Sequence, residues 1–320
     1  MTQFKNRAYG FAVIKAINSN YNADFSGQPR TLPNGQVYAN GTTLKYTVRN
    51  FIKVLYGAQQ RVFVFKRFND NYNPFTLADS YDDFFKTEVK NEDKKVIIKN
   101  LLSAIDVRFF GATFSPKGNG IKDKNVSIYG AVQINDGLNR WYEGNIFTDQ
   151  ILSPYGNPKK NTSEGSSDET EKAASTLGRK SKLEEGHYVH HFSINPKNIE
   201  DIARHGAEGT QTLSVNDIEL LKEGLRKGAT YYDSAAKAGT ENEMLFYVEL
   251  KEGSKLVLPN FTEMVKIKDK KDDGKRYFDL SAVKAELAKH KDEIEKCEIY
   301  YNSNNVEVEN LHDDCVIFDL

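Results

Sequence analysis

The order of apolar segments along the chain constrains its fold more than any other feature. Residues 8–17, AYGFAVIKAI, are rich in β-branched and aromatic side chains, which is typical of a strand. A helix follows the next loop, because five apolar residues recur at helical spacing and fall within about 100° of arc. They are Leu44, Val48, Phe51, Ile52 and Leu55. Either Asn40 or Thr42 can cap this helix.

The later apolar segments add further strands and helices. Strands are predicted over residues 61–68, 107–114, 126–134, 186–194, 244–250, 297–302 and 315–320. Helices are predicted over residues 96–105, after Ser214, and over residues 281–296. Ser214 and Asp217 nearly match a capping box. This order predicts an α+β fold with helices on one face of a mainly antiparallel sheet.

Two polar stretches interrupt the pattern. Residues 69–93 are polar, aromatic and acidic, and we interpret them as a peripheral insertion. Residues 139–185 contain few apolar side chains and much Ser, Thr, Glu and Lys, as in a linker or a projecting arm. Because a strand of core quality resumes at residue 186, an arm inserted into one domain spanning residues 1–320 is the better interpretation.

Charge is distributed unevenly along the chain. Residues 1–68 hold ten Lys and Arg and one acid, Asp24, so they carry +9, while the whole chain carries −1. The predicted helix places Lys45, Arg49 and Lys53 in one basic stripe beside its apolar face. Contacts to phosphate act within about 10 Å, so this local excess of cations matters more than the total charge. The segment therefore favours a nucleic-acid partner.

Several classes of protein are not indicated. No apolar run is long enough to span a membrane, and no signal peptide or metal-like cysteine spacing occurs. Cys297 and Cys315 cannot form a disulfide framework, so we expect a reduced, cytoplasmic protein. No nucleophile, base and oxyanion set is present, and Asp82 and Asp83 resemble a solvated turn. We therefore expect no catalysis and no cofactor.

Three histidines cluster in the strand predicted over residues 186–194. Strand geometry places His187 and His191 on one face and His190 on the other. We find no acid or cysteine at ligand spacing to join them. A packed or RNA-stacking strand is therefore expected here instead of a metal site.

Four sequence blocks carry a resemblance to a known family. They are residues 6–30 with 35–51, RFFGATF with VSIYGAVQI, residues 175–196, and residues 213–239. In this order they resemble the CRISPR-associated "Cas seven" proteins of the Csh/Csd kind, the backbone subunits of type I-B Cascade. The chain has Asn20-Tyr21-Asn22-Ala23-Asp24 where that family usually has Asn-Pro-Asn-Gly-Asp.

The resemblance implies an RRM-like (ferredoxin-like) antiparallel sheet core with finger and thumb insertions. It implies a non-catalytic subunit that polymerises along CRISPR RNA, with target DNA bound through pairing to the guide. The other implied partners are further copies of the chain, a large subunit, a repeat-handle-binding subunit and a repeat endonuclease.

The resemblance also implies which residues bind RNA, through phosphate, 2′-hydroxyl and base-face contacts that suit any guide sequence. These are Asn20, Asn22, Arg30, Thr43, Lys45, Tyr46, Arg49, Thr176, Gly178, Arg179, Lys180, Ser234 and Lys237. Tyr155 and Leu177 are candidates for a thumb wedge between bases.

Two other function classes stay open at this stage. A related RNA-processing endoribonuclease would need a general base, for which His187 and His205 are the candidates. A protein-interaction module would instead use the basic segment to bind acidic partners.

Overall fold

A computed structural model describes residues 2–152, 177–270 and 274–320. Its helices are α1 (Gly41–Leu55), α2 (Leu77–Phe85), α3 (Lys94–Ser103), α4 (Ile105–Phe110), α5 (Lys197–Ala203), α6 (Val215–Tyr231) and α7 (Ser281–Ala288). Its strands are β1 (Ala8–Ser19), β2 (Tyr38–Ala39), β3 (Ala112–Phe114), β4 (Val126–Ile128), β5 (Val132–Ile134), β6 (Gly137–Asn139), β7 (Ile146–Leu152), β8 (Leu177–Ile194), β9 (Thr240–Leu250), β10 (Lys266–Lys268), β11 (Arg276–Asp279), β12 (Ile294–Tyr301), β13 (Val306–Glu309) and β14 (Val316–Phe318).

The main sheet has nine strands, and β1 lies in its middle. The order is β14-β12-β9-β1-β8-β6-β2, and β5 and β7 also pair with β8. β1 is antiparallel to both β8 and β9. The sheet is therefore mainly antiparallel, as the sequence predicts, with one parallel pair between β12 and β14.

Both faces of β1 are buried. Ala12 and Ile14 belong to one apolar core, and Phe11 and Val13 to the other. A strand covered on both faces has no need to alternate apolar with polar residues, which explains the apolar run of residues 8–17, interrupted only by Lys15. The prediction of a strand there is confirmed.

Helices α1 and α6 pack together in the first of these cores. Gly224 of α6 lies so close to Val48 of α1 that an added Cβ would come within 2.9 Å of its side chain. The predicted capping box of Ser214 and Asp217 is present, and Asp217 also binds Arg108 through two hydrogen bonds of 2.8 and 3.0 Å. This buried ion pair fixes the start of α6 against α4.

The second face differs from the prediction that helices cover one face only. The strands β10, β11 and β13 form a small sheet, and Phe278, Val283 and Leu287 join the second core from β11 and α7. A helix and a second sheet thus cover this face, so the main sheet lies between two layers.

Residues 61–68 do not form the predicted strand. The backbone amides of Phe63 and Val64 donate to the buried carboxylate of Asp106, at 2.8 and 2.9 Å. A side chain thereby satisfies the amides that a neighbouring strand would otherwise bind, and the segment follows an irregular path.

Glycines divide two of the other predicted strands. The segment 107–114 is helical up to Phe110, and Gly111, with φ +75°, turns the chain into β3. The segment 126–134 is broken into β4 and β5 at Gly130, where the backbone passes so close to that of Gly111 that a Cβ would lie 2.3 Å from its nitrogen. Neither residue can be replaced without moving one of the two segments.

The C-terminal third contains two further differences. The helix predicted over residues 281–296 ends at Ala288, and β12 already begins at Ile294. Cys297 and Cys315 are joined as a disulfide, which the sequence analysis does not expect. Within the described ranges, no helix is both long and apolar enough to cross a membrane.

Candidate nucleic-acid interface

Three segments that are distant in sequence meet beside one end of β1. They are residues 20–30, residues 178–182 of β8 and residues 234–239 before β9, and we call their meeting point the three-segment junction. The side-chain amide of Asn20 donates to the Ser181 carbonyl at 3.3 Å, and its backbone N–H donates to the Ala236 carbonyl at 2.8 Å. All three segments contain residues that the sequence analysis assigns to RNA binding.

Two lysines tie the junction together. The Lys237 ammonium donates to the Tyr21 carbonyl and lies 5.3 Å from the centre of the Tyr21 ring. The Lys180 ammonium donates to the Ala235 carbonyl. Burial lowers the pKa of Lys237 to about 8, so a phosphate oxygen beside this ammonium would relieve an unfavourable desolvation.

The junction also contains polar atoms that are buried and have no hydrogen-bond partner within the described ranges. These are the side-chain oxygen of Asn20, the hydroxyl of Tyr21 and Nε of Arg30. An unsatisfied buried polar atom costs about 1–3 kcal/mol, so a hydrogen-bonding ligand would gain from meeting it.

The N-terminal end of α1 adjoins the junction. The Asn40 backbone N–H donates to the side-chain oxygen of Asn22 at 2.9 Å, and the Asn40 side chain itself makes no cap. Thr43 lies in the first turn, where its N–H donates to the Asn40 carbonyl. Tyr46 is 39% exposed and its ring lies 5.2 Å from that of Tyr232, just before Ser234. One continuous region therefore contains the predicted residues Asn20, Asn22, Arg30, Thr43, Tyr46, Ser234 and Lys237.

The predicted basic stripe on α1 is divided in the structure. Arg49 donates to Asp106 at 3.2 Å, and its side chain is only 13% exposed. Burial lowers the pKa of Arg49, which Asp106 partly offsets. Lys45 lies 5.7 Å from the Phe110 ring, and burial with the neighbouring Arg49 charge lowers its pKa. Arg49 thus serves an internal ion pair, which leaves Lys45 and the exposed Lys53 as the cations of the stripe.

The start of β8 forms a two-stranded ribbon with β7. Arg179 lies opposite Gln150 and Gly178 lies opposite Ile151, and both β8 residues are exposed. Leu177 is the first residue of this strand. Thr176 and Tyr155 lie outside the described residues.

Several residues in or beside the junction are absent from the sequence-based set. Ser181 follows directly after the predicted Lys180, and its hydroxyl lies 2.8 Å from that of Thr148 on β7. Tyr232 and Phe65 enclose Tyr46, with Phe65 stacked at 5.2 Å. The run of aromatic residues in 61–68 is the signal that could have identified Phe65, had that segment not been interpreted as a strand.

The histidines point as predicted, and two acids accompany one of them. His190 faces Tyr21, while His187 and His191 face the second core. Contrary to expectation, both ring nitrogens of His187 lie beside carboxylates, those of Glu243 and Glu185. Burial alone would lower the pKa of His187, but these carboxylates raise it above its ordinary value.

Neither histidine considered as a general base lies at the junction loops. His187 is fully buried in its ion cluster, and exposed His205 follows α5. The described part of the chain contains no group of three or more His, Cys, Asp or Glu side chains arranged to hold a metal ion.

Comparison with known proteins identifies a family by sequence. The model of the family described as CRISPR-associated protein Cas7 matches residues 6–287. A chain of a "CRISPR RNA-guided surveillance complex, pre-nicking" is similar in structure with a TM-score of 0.54 and 13% identity, over 98% of this chain and 96% of that chain. A chain of a "CRISPR RNA-guided surveillance complex" has a TM-score of 0.46 and 12% identity, over 94% and 95%.

At these identities the first structural likeness shows the fold, and the sequence match shows the family. No curated protein matches the sequence. Because the family model spans well over half of the residues, this chain belongs to the CRISPR-associated protein Cas7 family.

Proposed function

We propose that this chain is a non-catalytic backbone subunit that binds CRISPR RNA and repeats along it in a type I surveillance complex. The observation that carries the proposal is the three-segment junction, where Asn20, Lys180 and Lys237 converge from distant parts of the chain. Amide and ammonium donors suit phosphate and ribose oxygens, which every guide sequence presents alike.

We infer that the core that carries the junction is RRM-like, and its topology supports this assignment. In chain order it runs β1, α1, β8, α6, β9, and β1 lies between β8 and β9. Helices α1 and α6 both contribute to the apolar core on one face of this sheet. We assign residues 69–93 to a finger insertion and residues 139–185 to a thumb.

The remaining parts of the proposal follow from the family resemblance. The complex is of type I-B, in the cytoplasm, and target DNA is held through pairing to the guide. The partners are further copies of this chain, a large subunit, a repeat-handle-binding subunit and a repeat endonuclease. Tyr155 and Leu177 remain candidates for the thumb wedge.

The test is binding to single-stranded RNAs of increasing length, followed by ribonuclease digestion. A repeating subunit protects a regular ladder of fragments, independent of base sequence, and binds long RNA cooperatively. One isolated footprint on every RNA would contradict polymerisation. Cleavage of repeat RNA by the purified chain would favour the endoribonuclease, and absence of RNA binding with retention of acidic proteins would favour the interaction module.

A further inference from the structure

The loop of the junction presents one aromatic side chain to solvent. Phe25 is 106% exposed, while Tyr21 in the same loop is fully buried. Single exposed apolar residues are common on protein surfaces, so exposure alone does not mark a site. The way in which the chain holds Phe25, and what surrounds it, carry the argument.

Phe25 lies at the tip of a tightly hydrogen-bonded turn. The Asp24 carboxylate accepts from the Ser26 amide at 2.8 Å, the Ser26 hydroxyl at 2.7 Å and the Gln28 amide at 3.0 Å. The Asp24 N–H donates to the Gln28 carbonyl at 2.8 Å, and Gly27 supplies the positive φ of +85°. These bonds lower the pKa of Asp24, first through Ser26, so the carboxylate stays charged in the turn. The turn is thus ordered without any contribution from the Phe25 ring.

The turn is also bonded to Asn20, which contacts both other segments of the junction, and to the neighbouring strand β7. Asn20 donates to the Gly27 carbonyl at 3.1 Å, and the Gln28 side chain reaches the Thr148 hydroxyl of β7 at 3.5 Å. Arg30 and Lys237 supply positive charge at the base of the same loop. An exposed ring on an ordered turn, beside cations that can bind phosphates, is the combination that single-stranded nucleic-acid sites use.

We propose that Phe25 stacks on a base of the bound RNA strand, an inference that rests on the proposed function. The ring supplies a π-face that accepts any base, so it adds affinity without sequence preference. The turn holds the backbone of Phe25 in place before binding, so only side-chain rotamer freedom is lost when a base meets the ring.

The test compares uridine oligonucleotides of one footprint with backbone oligomers of the same length that lack bases. Phe25→Ala should weaken binding of the uridine oligomer by about 5- to 150-fold and leave binding of the abasic oligomer unchanged. Phe25→Trp should restore binding, and its fluorescence should be quenched on addition of RNA. The matched control is Tyr129→Ala. Tyr129 is 77% exposed and lies by β5 at the opposite end of β8, so its substitution should leave the affinity for both oligomers unchanged.

The outcomes separate this inference from the proposed function. If the parent protein binds neither oligomer, the proposed function falls and the stacking role with it. Another outcome is that the parent protein binds RNA while Phe25→Ala either keeps the parent's affinity for both oligomers or loses affinity for both by the same factor. In that case stacking by Phe25 is wrong, while the RNA site stands. If the only effect of Phe25→Ala is a loss of cooperativity on long RNA, Phe25 contacts a second copy of the chain. This result would also overturn the inference.

Discussion

The two ends of β8 show how one strand serves two purposes. Its C-terminal half pairs with β1 on one side and with β5 and β6 on the other, and Phe192 is fully buried there. From Leu183 towards its start, the strand extends beyond β1 and pairs with β7, whose residue Leu152 is 66% exposed. The backbone ladder is continuous, but only one end contributes to the core. The difference teaches that the exposed end is available for binding because stability is supplied elsewhere.

The largest expected effect tests this comparison through stability. Phe192→Ala should lower the free energy of unfolding by about 3–5 kcal/mol, since it opens a cavity in the core. Leu152→Ala should change it by less than about 0.5 kcal/mol, since the side chain is largely in solvent. Urea titrations of both variants check the contrast. Equal losses would mean that the ribbon end belongs to the cooperative core.

A smaller effect distinguishes the two cations of α1. Arg49→Ala should cost about 1–3 kcal/mol of stability, because it removes the cation that forms an ion pair with buried Asp106. Lys45→Ala should cost little stability but lower the slope of log affinity for RNA against log salt by about 0.7. The measurements are urea unfolding and RNA titration at several salt concentrations. Reversed results would move the RNA path from Lys45 to Arg49.

The smallest expected effect concerns pH at the junction. With a pKa of about 8, Lys237 loses its proton as the pH rises from 7 to 9, and one cation is lost from the proposed RNA surface. RNA affinity should therefore fall by less than about tenfold over this range, as expected for one contact. Lys237→Met should bind more weakly at pH 7 and show a flatter profile.

The contribution of Lys237 to folding stability changes with pH in the opposite direction to RNA affinity. The lowered pKa means that the unfolded chain holds more protons between pH 8 and about 10.4, so this group makes the folded state more stable as pH rises there. A parallel rise of RNA affinity and stability in the parent protein would contradict the assignment.

Much of the fold can be predicted from local patterns. The apolar run of β1, the helical spacing in α1 and the Ser214–Asp217 capping box each have a local cause, and each is confirmed. The failures have causes distant in sequence. In residues 61–68, the amides of Phe63 and Val64 bind Asp106, about 40 residues further on, so the alternation of apolar residues is misleading.

The candidate site divides in the same way. Sequence blocks identify Asn20, Lys180 and Lys237, and the structure brings them together. They do not reveal that Arg49 pairs with Asp106, because Asp106 lies on another helix. They also do not reveal that two acids flank His187, because Glu243 lies on β9 and Glu185 lies two residues earlier in β8, on the same face. Spacing shows which residues share a face, and only the assembled fold shows which of their charges are already paired.

Photo-crosslinking tests the central claim most directly. RNA that carries 4-thiouridine is bound to the protein, irradiated and digested, and the crosslinked peptides are identified by mass spectrometry. The account predicts crosslinks in residues 20–30, 178–182 and 232–240, which together form the three-segment junction and its border. Crosslinks confined to residues 115–125 or 281–293, which are outside the junction, would contradict it.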